Sequence, residues 1–205
     1  MVMNMKRFYR FFNGLHSRIN ENFQLPLFYS LALLTLYTII TGFAAYLINY
    51  GVIGESDELL TDNYPVVILR MIILLLFINF NIIYLYLLVR YFKQRKVPLR
   101  VIYSYYAVFA TFLFMLSIIL FFAVLFSYYV LGMGTDHILL IFGLAILIIL
   151  TGANLYPAYF LFLSLKEEPV DVFWAIILCI IGIHIFSYVL FNIWNRIHIF
   201  QLWVS

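Results

Sequence analysis

Five apolar stretches, each long enough to cross a bilayer as one helix and each bounded by polar or charged residues, occupy most of this chain. A hydrocarbon core roughly 30 Å thick needs about 20 consecutive helical residues, and every one of the five reaches that length. The runs cover about 26–50, 65–90, 101–129, 138–164 and 171–193. They predict an all-α integral membrane protein, a bundle of about five transmembrane helices. The connections are too short to hold a soluble domain, so 25–205 reads as a single polytopic membrane domain. Composition points the same way: with 66% hydrophobic and 10% charged residues, 205 residues cannot clothe a water-soluble globule in polar surface. The lipid bilayer is therefore the main partner, and nothing in the charge pattern predicts a nucleic acid. The chain has one cysteine, Cys179, in the last run, so it has no disulfide framework of its own.

Charge placement predicts orientation. Lys6, Arg7, Arg10 and Arg18 precede the first run, and Arg90, Lys93, Arg95, Lys96 and Arg100 lie between the second and third. Basic loops stay on the cytoplasmic side of a bacterial inner membrane, or the matrix side in an organelle. The first loop carries Glu55, Asp57, Glu58 and Asp62 without a Lys or Arg, as expected of the opposite side. Five crossings then place the C-terminus opposite the N-terminus. Residues 1–24 form a separate feature: four basic residues, with Phe8, Phe11, Phe12, Leu15 and Ile19 at helical spacing, predict a basic amphipathic helix lying in the interface.

Inside a bilayer water gives helices no reason to associate, so close packing and a few hydrogen bonds must do it. Small residues four apart are the first signal, and they occur at Thr38 and Gly42, at Ala107 and Thr111, and at Ala175 and Cys179. Polar residues are the second. Arg70 is the one formal charge well inside a run, and Arg70, Leu74, Phe77 and Asn81 share a helical stripe predicted to face protein, with Asn79 pointing elsewhere. His184 lies near the middle of the last run, on a stripe with Ser187, Phe191, Asn195 and His198. There a neutral imidazole needs one interhelical hydrogen bond to be satisfied. Asn154 precedes Pro157, which removes a backbone donor and predicts a kink in the fourth helix. Tyr50, Tyr64, Tyr103, Tyr128, Trp194 and Trp203 fall near the membrane–water interfaces, as belts of aromatic residues do.

These residues do not compose a reaction centre. His184 and His198 have the spacing of haem-ligating histidines on one helix, but no second helix supplies a matching pair. Glu167 and Glu168 resemble the paired glutamates of intramembrane CAAX-type proteases, yet Pro-Val-Asp follows where that family places an arginine in a helix. No phosphate-cradling glycine loop, nucleophile elbow or zinc-protease motif is present, and no metal or other cofactor is expected. The expectation is a non-catalytic protein, a structural or accessory subunit of a larger membrane complex that contacts other membrane subunits. The competing expectation is a small homo-oligomeric transporter or channel with a polar path past Arg70, Asn81, Asn154 and His184.

Overall fold

In lipid the backbone has no water to bond, so a segment that crosses must satisfy its own amides, and the helix is the solution open to a single strand of chain. The computed structural model describes residues 19, 23–48, 51, 64–93 and 97–204. Five helices account for nearly all of them: α1 (Leu27–Ile48), α2 (Tyr64–Phe92), α3 (Leu99–Tyr129), α4 (Thr135–Leu165) and α5 (Val172–Val204). All five are long and apolar enough to cross a membrane, which is the pattern of a multi-pass membrane protein, and the described residues contain no strand. The amphipathic segment expected over 1–24 lies outside the described residues except for residues 19, 23 and 24, none of which is helical. The acidic first loop lies outside them too. The last helix runs to Val204, beyond the end of the apolar run at 193.

Local chemistry sets the helix ends. The Asp171 carboxylate accepts the Phe173 amide at 3.0 Å, capping the first turn of α5. Gly132 has φ of 60°, a left-handed conformation that costs glycine nothing, and the turn it makes lets the Met133 amide return to the Ser127 carbonyl at 3.1 Å. Pro98 precedes α3 with an extended backbone, and its carbonyl accepts the Val101 amide. Pro157 sits inside α4 and is buried.

α2 packs against all four other helices, while α1, α3, α4 and α5 succeed one another around it by pairwise contact. The main core lies at one end of the bundle, where the α2–α3 and α4–α5 connections fall. It joins Leu34 of α1, Ile82, Leu85 and Val89 of α2, Val101 to Tyr106 of α3, Tyr156 to Leu165 of α4, and Ala175, Cys179 and Ile183 of α5. Arg90, Lys93, Arg100 and Lys166 lie at this end, together with Glu167, Glu168 and Asp171. At the other end a small cluster of Ile48, Val124 and Ile138 holds α1, α3 and α4 together. In none of the five spans is more than 22% of the most apolar window buried, and the side chains exposed on the spans are largely apolar. Such surfaces belong in lipid.

Candidate functional site

The side-chain hydrogen bonds between helices are the feature that apolar spans alone would not produce. The Asn79 amide donates to the Leu75 carbonyl one turn back, at 2.8 Å, which fixes the amide plane and leaves its oxygen directed at α3. The Tyr103 hydroxyl donates to that oxygen at 2.8 Å. Tyr156 of α4 reaches across to the Tyr105 carbonyl of α3 at 3.0 Å, using the second lone pair that a helical carbonyl retains. Its ring stacks on Phe109 with centroids 3.8 Å apart and meets Tyr106 edge-on at 5.2 Å. Tyr37 of α1 and Thr111 of α3 share a bond at 3.1 Å. Ser104 ties the chain entering α1 to α3, accepting the Leu25 amide at 2.8 Å and donating to the Arg100 carbonyl.

A further tyrosine shows why a glycine is needed. Tyr84 of α2 donates to the Leu178 carbonyl of α5 at 2.8 Å. A helical carbonyl is flanked by the side chain four residues on, here position 182, and Gly182 has none. A Cβ built at Gly182 would overlap the hydroxyl and ring of Tyr84. The close approach of α2 and α5 and the hydrogen bond thus depend on the same missing atom. Gly42 plays a milder part between α1 and α2, where a Cβ would meet the flexible Met71 side chain at 2.8 Å.

The residues singled out from sequence fall in different environments. Arg70, Leu74 and Phe77 are half-buried and Asn81 is buried, with no hydrogen bond to its side-chain oxygen. Asn154 is half-buried on α4. His184 is exposed on the outer side of α5 and its Nδ1 bonds the Ile180 carbonyl of its own helix at 2.8 Å. Asn81 and His184 therefore share no environment. Thr38, Ala107, Ala175 and Cys179 are buried, and the Thr38 hydroxyl is spent on the Leu34 carbonyl. Asn79, which helical phase directs away from the Arg70 stripe, hydrogen-bonds α2 to α3. Tyr103, read as part of an interfacial belt, is its buried partner. Gly182 lies three residues after Cys179 on the same face, not at the spacing of four that marks the small-residue pairs.

Replacing Tyr103 with Phe and Asn79 with Leu, singly and together, should expose a coupling of about 0.6 kcal/mol, the average for such bonds in lipid. Unfolding of the full chain in mixed micelles measures it, and a coupling of zero would mean the bond contributes nothing to stability.

Among the described residues, hollows within or against the bundle include three of note. The best enclosed, about 370 Å³, opens between α1, α3 and α4 and is walled by residues such as Ala44, Ile48, Phe121, Phe142 and Ala145. Its hydroxyls, Thr41 and Ser117, donate to the carbonyls of Tyr37 and Phe114 on their own helices, so the wall offers hydrocarbon only. Another, about 250 Å³, lies between α2 and α5 and is wholly apolar. The third, about 420 Å³, lies along α5 and includes His184 and Tyr188. Among Arg70, Asn81, Asn154 and His184, only His184 lines any of these three. Among the described residues no group of three His, Cys, Asp or Glu side chains is placed to hold a metal ion. Comparison with known proteins finds no matching family model, no matching curated protein and no matching solved structure.

Proposed function

We propose that this chain is a non-catalytic polytopic membrane protein that serves as a structural or accessory subunit of a larger membrane assembly, with its N-terminus on the cytoplasmic or matrix side and its C-terminus opposite. The observation that supports this most is the use made of the polar side chains. The hydroxyls of Tyr84, Tyr103 and Tyr156 each end on an acceptor of a neighbouring helix. Bonds of that kind fix helices against one another; they do not prepare a group to react. The outward faces are broad and apolar, suited to packing against the helices of other subunits as well as lipid.

The competing reading is a small oligomeric transporter. Asn81 is the observation in its favour, because a buried amide oxygen without a hydrogen bond is costly in lipid and is commonly kept for a ligand. Flux through vesicles containing only the purified chain separates the two. The accessory role predicts ion and solute leakage no greater than that of empty vesicles. Selective flux that disappears in Asn81→Leu would establish the transporter instead.

A further inference from the structure

Exposed apolar rows on α2, such as Ile72, Leu76 and Phe80, and on α3, such as Met115, Ile119 and Phe122, are satisfied by lipid alone. The outer face of α5 is different. Leu178, Ile181, Ile185, Tyr188 and Asn192 are all exposed and follow one another by three, four, three and four residues, the spacing of a seam between two parallel helices. His184 flanks that seam and is exposed as well. It lies twelve residues from Val172, about 18 Å along the axis and so near mid-bilayer, where polar groups nearly always face protein.

The proton on His184 can be placed. A carbonyl oxygen only accepts, so the Nδ1 atom bonded to the Ile180 carbonyl carries the hydrogen, and in the neutral ring Nε2 is left as an acceptor in the hydrocarbon. Tyr188 supplies the matching donor. It is 71% exposed, and among the described residues its hydroxyl makes no hydrogen bond. Because side chains tilt toward a helix's N-terminus, the Tyr188 hydroxyl falls back to about the level of His184. Asn192 bonds the Tyr188 carbonyl with its nitrogen, which leaves its oxygen and second N–H open at the edge of the hydrocarbon.

We propose that this face of α5 is a self-association surface on which a second copy of the chain docks, α5 against α5 in parallel. The Tyr188 hydroxyl of each copy donates to His184 Nε2 of the other. Copies inserted in the same direction are related by a two-fold axis along the membrane normal, so each residue meets the other copy's face at its own depth. His184 then finds a donor and Asn192 meets Asn192, which can exchange two N–H···O bonds. A foreign helix would have to bring both a donor and an amide at matching heights; a second copy carries them already. Arg196, also exposed, lies four residues beyond Asn192 and outside the hydrocarbon, where salt and headgroup phosphates screen its repulsion from its counterpart.

Disulfide trapping in the native membrane tests the contact directly. Cys179 is buried and can stay in place. Under oxidation, Ile185→Cys should yield a covalent species of twice the chain's 24.3 kDa, whereas Ile119→Cys on the exposed face of α3 should remain monomeric. In vesicles, energy transfer between labelled copies should show His184→Leu and Tyr188→Phe each weakening association about tenfold, as expected for the loss of two symmetry-related bonds, with the double variant no weaker than either. Tyr188→Phe removes one hydroxyl and keeps the ring, so its effect does not depend on misfolding. The proposal is overturned by monomer from both cysteine variants, by equal trapping from both, by an adduct of Ile185→Cys with a different protein or with another segment of its own chain, or by association that ignores the loss of the His184 or Tyr188 polar atoms. The trapping reads self-contact alone, so its failure would leave the accessory role standing.

Discussion

Gly182→Leu is expected to destabilise the bundle by about 3 kcal/mol or more, the largest effect of any single glycine replacement among the described residues. A side chain there drives into Tyr84. Its hydroxyl is held by the Leu178 carbonyl and its ring meets Phe186 edge-on at 5.3 Å, while Phe186 also meets Phe80 at 4.3 Å. Overpacking of this kind costs about 1–3 kcal/mol, the hydrogen bond about 0.6 more, and the aromatic contacts about 0.5–1.5 each. Gly182→Ala should fall between wild type and Gly182→Leu. Gly143 is the control, because a Cβ there meets nothing within 4 Å. Gly143→Ala should be neutral or stabilising by up to about 1 kcal/mol through helix propensity. Unfolding in mixed micelles orders the four proteins. Equal stability of Gly182→Leu and wild type would show that α2 and α5 do not approach here.

Tyr156→Ala is expected to cost about 3–5 kcal/mol, because it removes a ring from the main core and leaves a cavity between α3 and α4. Tyr156 is 5% exposed and is the hub of that contact: the stack on Phe109, the edge contact with Tyr106 and the bond to the Tyr105 carbonyl all converge on it. Tyr156→Phe keeps the ring and loses only the bond, so it should cost about 1 kcal/mol. The ratio of the two losses says how far packing outweighs hydrogen bonding in this core. Tyr129, 68% exposed, supplies the comparison: Tyr129→Ala should change stability by no more than about 0.5 kcal/mol.

The number of spans was legible because a bilayer crossing demands a long unbroken apolar run, a requirement that soluble helices do not face. Which face of each helix turns inward was far less legible. In water a helix advertises its buried side by being polar on the other, but these spans are apolar all round and carry no such contrast. The remaining signals are sparse and depend on geometry. Asn79 and Asn81 are two residues apart and point to different sides; only the position of Tyr103 decides which one bridges to α3. Gly182 matters because Tyr84 needs an open carbonyl, a requirement set by another helix. His184 reads from sequence as a packed residue that one interhelical hydrogen bond would satisfy. It instead faces outward, because the stripe through Ala175, Cys179 and Ile183 is what α5 turns toward the core. Of the small residues spaced by four, Thr38, Ala107, Ala175 and Cys179 are buried, while Gly42 and Thr111 are half-buried.

Native mass spectrometry of the protein released gently from its own membrane tests the central claim most directly. An accessory subunit predicts assemblies in which this 24.3 kDa chain is accompanied by subunits of other sequence, in fixed stoichiometry and through successive stages of activation. A chain recovered alone, or only with copies of itself, across the same range of conditions would contradict that role.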